Sequence, residues 1–359
     1  MRVIPLLLFL YFPLFVFSQN NQLKIDYQYY TGSILPHSDQ ISHLITHKPN
    51  GFLVSASQSA FRNAFWQKHY NYPDVGLSLH YQNNHNKSLG DLYGLFAHYD
   101  FYFFKRHLQF RIAQGFAYAT NPFDKADNFR NLAYGSHWMP STYFQLNYRQ
   151  NIWKNWQLFG GIFLTHHSNA TIKTPNISTN TLALTAGLSY HFEQNNTSAT
   201  HETTPLLLTK IRYSAALRTG INEGHIVGMG QKSFYHIAFM ADKRLGYTGS
   251  VQLGAELFLS NTVKEMIPFI ANSFPESDLN ADADWKRVGL FAGYEVHFDR
   301  LSVEGNAGIY VYDKYKENGA LYQRLGVRYY VTDNWFAIMS LKTHLAKAEA
   351  FELGLGYKL

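Results

Sequence analysis

The chain has 359 residues and carries 31 Lys and Arg against 25 Asp and Glu, which gives a formal charge of +6. It contains no Cys, which excludes a disulfide scaffold and a Cys-ligated zinc module. A hydrophobic content of 46% argues against intrinsic disorder, and the small positive excess is not typical of a nucleic-acid-binding protein. Aromatic residues make up 17% of the chain and charged residues only 16%, a balance that favours an all-β protein in contact with lipid.

The first eighteen residues, MRVIPLLLFLYFPLFVFS, have the layout of a secretory signal peptide. Arg2 precedes an apolar run, and Ser18 offers a small residue for cleavage. The alternative is an N-terminal membrane anchor, but the run is shorter than the ~20 residues that span a bilayer. We therefore expect an exported protein that is cleaved near Ser18 and has no transmembrane helix in its mature part.

Apolar and polar residues alternate along most of the remaining chain. Leu182, Leu184 and Leu188, for example, alternate with Thr185 and Ser189. A period of two predicts β-strands, since successive side chains point to opposite faces. The same pattern recurs in segments that include residues 75–82, 108–118, 321–331 and 351–359.

These stretches are about ten residues long, which is enough to cross a bilayer when tilted. Short connections lie at residues 105–107, 151–155, 299–300 and 332–334, and longer polar ones lie at 121–140, 220–230 and 261–284. Short periplasmic turns and long outer loops are typical of outer-membrane barrels. Because lipid cannot satisfy an open sheet edge, the pattern predicts a transmembrane antiparallel β-barrel of about 16 strands, within a range of about 14 to 16. The soluble alternative is a secreted β-sandwich or a lipocalin-like barrel.

The two halves of the chain resemble each other. Residues 92–99 are similar to residues 287–294, and the strand that follows Asn155-Trp156 is similar to the one that follows Asn334-Trp335. We expect a first half at residues 19–192, a polar linker at 193–207 and a second half at 208–359, each half contributing about eight strands. One wide barrel and two separate barrels both remain open, and the continuous alternation favours one.

The most specific stretch is THHSNATIKTPN, which begins at Thr165. It resembles the H-x-S-N-A-x-x-K-x-P-N motif of the outer-membrane lipid A 3-O-deacylases, the PagL family, and the chain is similar to longer exported proteins described as acyloxyacyl hydrolase-like. The resemblance is strong over residues 156–192 and mostly topological from residue 23 onward. It implies that His166 is the catalytic base, Ser168 the nucleophile and Asn169 an oxyanion-hole donor.

The chain departs from the family's pattern at one catalytic position. The family has a Glu at the start of the next strand, and this chain has Asn180, twelve residues after Ser168. An Asn can orient the imidazole of His166 through its amide oxygen, but it supplies no negative charge.

The strand pattern itself places these groups together. His166 and Ser168 share the parity of the lipid-facing row of their strand, about 6–7 Å apart. Asn180 shares the lipid-facing parity of the next strand, and the connection at residues 170–179 brings the two strand ends together. Asn169 has the opposite parity, so its backbone amide is the safer oxyanion donor.

The implied function is removal of an acyl chain from lipid A, the lipid part of lipopolysaccharide, by a Ser-His ester hydrolase of the bacterial outer membrane. Lipid A and other outer-membrane lipids are then the expected partners, and we expect no nucleic acid, cofactor or metal. His166 and His167 point to opposite faces, which argues against a shared metal ion. Lys173 either contacts a lipid phosphate or faces solvent. The alternative function is a non-catalytic channel or surface-binding barrel with a decayed motif.

The second half offers a comparison within the chain. We align His344 with His166, which puts Ala346 in place of Ser168 and Lys347 in place of Asn169. That copy lacks a nucleophile, and the sequence therefore predicts one active site per chain.

Overall fold

The computed structural model describes residues 23–59, 65–192, 210–316, 318–345 and 347–359. The expected signal peptide at residues 1–18 and the expected linker at 193–207 lie outside the described residues. The chain divides into two compact units. The first comprises Met1–Asn169 and Ile177–Thr204, and the second comprises Ala170–Asn176 and Pro205–Leu359.

The first unit is a closed antiparallel barrel of eight strands. Each strand pairs with its neighbours in the sequence, and the last strand returns to the first through a register that runs from Lys24 opposite His191 to Ile34 opposite Thr181. The strands are β1 (Leu23–Ile34), β2 (Asn50–Ser59), β3 (Asp74–Asn83), β4 (Asp91–Phe103), β5 (Leu108–Ala119), β6 (Trp138–Trp153), β7 (Trp156–His167) and β8 (Thr179–His191).

The interior of this barrel is filled by side chains. Toward the end where β1 begins, Arg111 bridges Asp26 and Asp100, and Lys24 bonds Asp74 and Asp100. The middle is apolar and aromatic, because the inward positions there include Tyr30, Leu53, Phe96, Tyr143 and Phe163.

The end at which β7 finishes is covered by the connecting segments. Helix α1 (Asp39–Ser42) lies in the β1–β2 connection at this end, whereas helix α2 (Phe65–His69) lies in the β2–β3 connection at the opposite end. Ser38 caps α1 by accepting a hydrogen bond from the backbone of Gln40, and Ile41 is buried within α1. The apolar cluster at this end contains Ile34, Ile41, Leu44, Leu89, Leu92, Ala119, Ala133, Tyr134 and Met139.

The second unit contains another closed antiparallel barrel of eight strands, in which β16 pairs with β9. Its longest connection holds helix α3 (Asn261–Ser273) and a 3₁₀ turn (Pro275–Ser277). The strands are β9 (Ile211–Asn222), β10 (Lys232–Arg244), β11 (Gly249–Ser260), β12 (Arg287–Phe298), β13 (Leu301–Tyr312), β14 (Leu321–Tyr330), β15 (Trp335–His344) and β16 (Lys347–Lys358).

Buried ion pairs fill much of the second interior. Arg218 contacts Glu256 at 3.3 Å and Glu304 at 3.1 Å. Arg324 contacts Glu352 at 2.7 Å and also bonds Glu256. These side chains are fully enclosed, so every charge in the set has an opposite charge beside it, as burial in a low dielectric requires.

The outer faces of both barrels are apolar. Leu184 in β8 and Leu253 in β11 are 70% and 66% exposed, although both lie in the middle of their strands. Side-chain parity therefore places charge inside and hydrocarbon outside, the reverse of a water-soluble barrel. Among the described residues, no helix has the length and apolar character needed to cross a membrane.

The all-β fold class is confirmed, and the described residues contain sixteen strands, as predicted. The preference for one wide barrel is wrong, because the ladder closes twice, once between β8 and β1 and once between β16 and β9. The sequence interpretation also missed α3, whose buried side chains Val263, Met266 and Ile267 follow a helical spacing inside a segment read as a polar loop.

Candidate functional site

The candidate site lies where β7 ends and β8 begins, on the outer face of the first barrel. His166 and Asn180 are direct cross-strand partners in the β7–β8 ladder. The same outward rows continue with Leu164 opposite Leu182, and then with Ile162 opposite Leu184. The polar pair therefore terminates an apolar strip, as the parity of the sequence predicts.

The imidazole of His166 is held by the amide of Asn180. His166 Nδ1 lies 2.7 Å from Asn180 Oδ1. An amide oxygen only accepts hydrogen bonds, so Nδ1 of the neutral ring must carry the proton and donate it. The other ring nitrogen, Nε2, then keeps its lone pair, which is the form that a general base needs.

Ser168 and Asn169 follow directly after β7. Ser168 is 7% exposed and Asn169 is fully buried. The strand stops here because the next two residues, Ala170 and Thr171, have φ angles of 52° and 63°, which no extended strand can contain. Ser168 thus lies two residues from His166, at the point where the chain leaves the sheet.

Lys173 does not belong to the first compact unit. It lies in the segment Ala170–Asn176, which is part of the second unit, and its side chain is exposed. The structure therefore brings His166 and Asn180 together, places Ser168 and Asn169 at the end of the same strand, and assigns Lys173 to the other unit.

A residue that the sequence analysis missed contacts the far side of the Asn180 amide. His37, in the connection after β1, has its Nδ1 3.3 Å from Asn180 Nδ2. Its Nε2 lies 2.9 Å from the backbone oxygen of Ile177. The two side chains are 143 residues apart, and no spacing motif links them, so only the closure of β1 against β8 reveals the contact.

Backbone hydrogen bonds hold the part of the β7–β8 connection that leads into β8. The backbone N–H groups of Ile177 and Ser178 donate to the oxygens of Leu132 and Ala133, both at 3.1 Å. At the first position of β8, the Thr179 hydroxyl shares a 2.6 Å hydrogen bond with that of the fully buried Tyr134. These bonds position the start of β8, and with it Asn180.

The second barrel does not repeat this arrangement. His344 is buried in the interior, where its Nε2 lies 3.0 Å from the hydroxyl of Tyr310. The alignment of His344 with His166 is wrong by one residue. Strand β15 begins at Trp335 and β7 at Trp156, and His344 is as far from Trp335 as the inward-facing Thr165 is from Trp156. A shift of one residue exchanges the two faces of a strand. Ala346 lies outside the described residues.

Within the parts of the chain that the structure covers, no group of three or more His, Asp or Glu side chains is arranged to hold a metal ion. The geometry that is present is a histidine ring oriented by a neighbouring amide and followed, two residues later, by a serine. Such a set can activate a hydroxyl for attack on a carbonyl carbon.

Comparison with known proteins assigns both halves of the chain. Residues 50–189 match the family described as lipid A 3-O-deacylase (PagL), and residues 211–359 match the family described as acyloxyacyl hydrolase, C-terminal domain. No curated protein matches the chain.

Two solved structures that align with it are engineered mutants of the porin of Rhodopseudomonas blastica, at 8% and 7% identity. Each alignment covers 94% of this chain and 99% of the porin, with a TM-score of 0.20, which supports no conclusion about this chain. The chain belongs to the lipid A 3-O-deacylase (PagL) family through residues 50–189, and it continues into an acyloxyacyl hydrolase C-terminal domain.

Proposed function

We propose that this protein is an outer-membrane esterase that removes an acyl chain from lipid A, with Ser168 as nucleophile and His166 as base. The observation that carries the proposal is the 2.7 Å hydrogen bond between His166 and Asn180 on an apolar outer face. Polar groups on a hydrocarbon-facing surface cost free energy unless they are hydrogen-bonded, and His166 and Asn180 meet this condition by bonding each other. The pair ends the strand that leads into Ser168, inside the segment that matches the deacylase family.

The surroundings of the pair suit a lipid substrate. Below it, Ile162, Leu182 and Leu184 form an exposed apolar surface, and Phe144 and Leu146 of β6 extend this surface on the other side of β7. An acyl chain lying along these side chains would bring its ester to the strand end, where a bilayer changes from hydrocarbon to head group.

The proposed reaction is acyl transfer in two steps. The Ser168 hydroxyl attacks the ester carbonyl while His166 Nε2 takes its proton, and the resulting oxyanion is stabilised by the Asn169 backbone N–H or side-chain amide. The intermediate then expels the sugar alcohol, to which His166 returns the proton. Water, activated by the same imidazole, releases the fatty acid and restores the serine.

Asn180 has a defined part in this scheme. It holds His166 with the proton on Nδ1, which leaves Nε2 unprotonated and able to take the Ser168 proton. Unlike a carboxylate it adds no negative charge to stabilise the imidazolium, so the rate is expected to be lower than with Glu or Asp at this position. We also propose that the exposed side chain of Lys173 contacts a lipid phosphate.

Mass spectrometry of lipid A tests the proposal. Membranes containing the wild-type chain should show lipid A that lacks one acyl chain, and membranes containing Ser168→Ala should show the intact form. Ser136→Ala is a matched control, because Ser136 lies in the long connection before β6 and its hydroxyl donates to the oxygen of Trp138. Identical lipid A from the wild type and Ser168→Ala would refute the esterase.

The channel alternative receives no support from the interiors. Each closed barrel has eight strands, a number at which side chains fill the lumen, and the described interiors contain aromatic clusters and ion pairs. Planar-bilayer recordings should therefore show no stable single-channel conductance. A steady conductance that survives Ser168→Ala would favour the channel over the esterase.

A further inference from the structure

We propose that His37 is a positioning residue that fixes the orientation of the Asn180 amide and, through it, the tautomer of His166. This inference rests on the proposed function and deepens it. An amide, unlike a carboxylate, has two unlike ends, and only its oxygen can select the Nδ1–H form of His166. If the amide turned over, its N–H₂ group would face His166 and favour the opposite tautomer.

The hydrogen bonds around His37 define one consistent set of donors. Its Nε2 lies 2.9 Å from the oxygen of Ile177, which can only accept, so Nε2 carries the proton. The neutral ring then has an unprotonated Nδ1, which accepts from Asn180 Nδ2 at 3.3 Å. With its nitrogen engaged there, Asn180 presents its oxygen to His166.

His37 Nδ1 has a second neighbour besides the Asn180 amide. Nδ1 also lies 3.2 Å from the oxygen of Leu35, to which it could donate if it carried the proton. In that tautomer Nε2 could accept from the Ser178 hydroxyl at 3.4 Å, but it would face the oxygen of Ile177 at 2.9 Å, acceptor against acceptor. The shorter contact decides in favour of the proton on Nε2, and Nδ1 remains an acceptor for Asn180.

The backbone holds His37 in place for this role. The backbone N–H of Leu35 donates to the backbone oxygen of Asn180 at 2.7 Å. This bond continues the β1–β8 pairing one residue past Ile34. His37 N–H donates back to the Leu35 oxygen at 3.0 Å, which turns the chain at once. The Asn180 backbone thus anchors the segment whose side chain orients the Asn180 amide.

A double-mutant cycle with Asn180→Asp tests whether His37 orients the Asn180 amide or only stabilises the connection after β1. The two oxygens of Asp are equivalent, so a carboxylate needs no partner to orient it. In the Asn180 background, His37→Ala should lower kcat about threefold to tenfold, the value of one lost hydrogen bond, with KM unchanged. In the Asn180→Asp background, the same substitution should change kcat by less than about twofold.

His43→Ala is the matched control. His43 lies in the same connection and its Nε2 is 2.8 Å from the oxygen of Arg130, but no hydrogen bond joins it to Asn180 in the described structure. Its removal should leave kcat unchanged. Equal losses from His37→Ala in both backgrounds, or an equal loss from His43→Ala, would overturn the positioning role.

A measurement that does not depend on the substrate keeps the two proposals apart. Nitrogen-15 spectra of the full chain in detergent micelles report the tautomer of the His166 ring, which we expect to be Nδ1–H in the wild type and mixed in His37→Ala. If the wild type removes no acyl chain, the esterase fails while the tautomer still tests His37. A His166 tautomer unchanged by His37→Ala would overturn the inference even in an active enzyme.

Discussion

His166 and His167 are neighbours in the sequence, but their rings lie on opposite sides of the barrel wall. His166 faces outward and bonds Asn180. His167 is fully buried, where it bonds Ser141 at 3.0 Å and Thr165 at 3.1 Å and stacks on His80 with ring centres 5.6 Å apart. The period of two in a strand gives these identical side chains different surroundings.

Alanine substitutions of the two histidines should separate activity from stability. His166→Ala should lower deacylation roughly 10²- to 10⁴-fold, the usual value of a general base, with little change in stability. His167→Ala should lower the free energy of unfolding by about 1–3 kcal/mol, because it leaves buried hydroxyls without their partner, while the folded fraction stays active. Urea titration in lipid vesicles, with acyl release measured on the same samples, checks both. A large activity loss confined to His167→Ala would contradict the assignment of the base.

The apolar outer face predicts how a charge is tolerated along the barrel. Leu184→Arg, near the middle of β8, should cost about 2–4 kcal/mol on folding into a bilayer, whereas Ile152→Arg, near the end of β6, should cost about 0–1 kcal/mol. Both residues are exposed, at 70% and 55%, so burial in the protein cannot account for a difference. Equal costs would show that this face is not embedded in hydrocarbon.

The buried ion pairs of the second barrel predict a large loss of stability when one partner is removed. Arg324→Leu would remove the guanidinium that bonds both Glu256 and Glu352, leaving the fully enclosed Arg218 to serve both carboxylates, and should cost about 3–5 kcal/mol. The comparison is Lys232→Leu, which breaks a partly exposed pair with Glu265 and should have a small effect. Similar losses from both would mean that water reaches the interior pairs.

Labelling should reveal one reactive serine per chain. A fluorophosphonate with a lipid tail should attach once to the wild-type chain and not at all to Ser168→Ala. His344→Ala should leave the labelling rate unchanged, since His344 lies inside the second barrel and bonds Tyr310. Intact-protein mass spectrometry counts the attached groups, and a label that persists in Ser168→Ala would place the nucleophile elsewhere.

The sequence predicted the strands and their faces well, because hydrophobic alternation is a local property. The outward position of His166 and Asn180 and the inward position of His167 could be derived from parity alone. The number of barrels could not be derived from the sequence, since the alternation of apolar and polar residues is the same in one wide barrel and in two narrow ones. The pairing of β8 with β1 decides it, and this is a contact between distant parts of the chain.

The misses have physical causes. His344 aligns with His166 by residue type, but the two strands differ by one position, and a shift of one position moves a side chain to the other face of a strand. His37 was missed because its contact with Asn180 depends on the turn after β1. The helix α3 was missed although Val263, Met266 and Ile267 have helical spacing, since its flanking residues are polar.

The double closure has a consequence for how such genes can change. Because β1 pairs with β8 and β9 with β16, each sheet has a complete set of backbone partners drawn from one continuous half of the sequence. A fusion or split between the halves would leave no edge strand with unpaired N–H and C=O groups. It would therefore not expose a sheet edge that promotes aggregation. Each half can therefore change in sequence without disturbing the backbone pairing of the other.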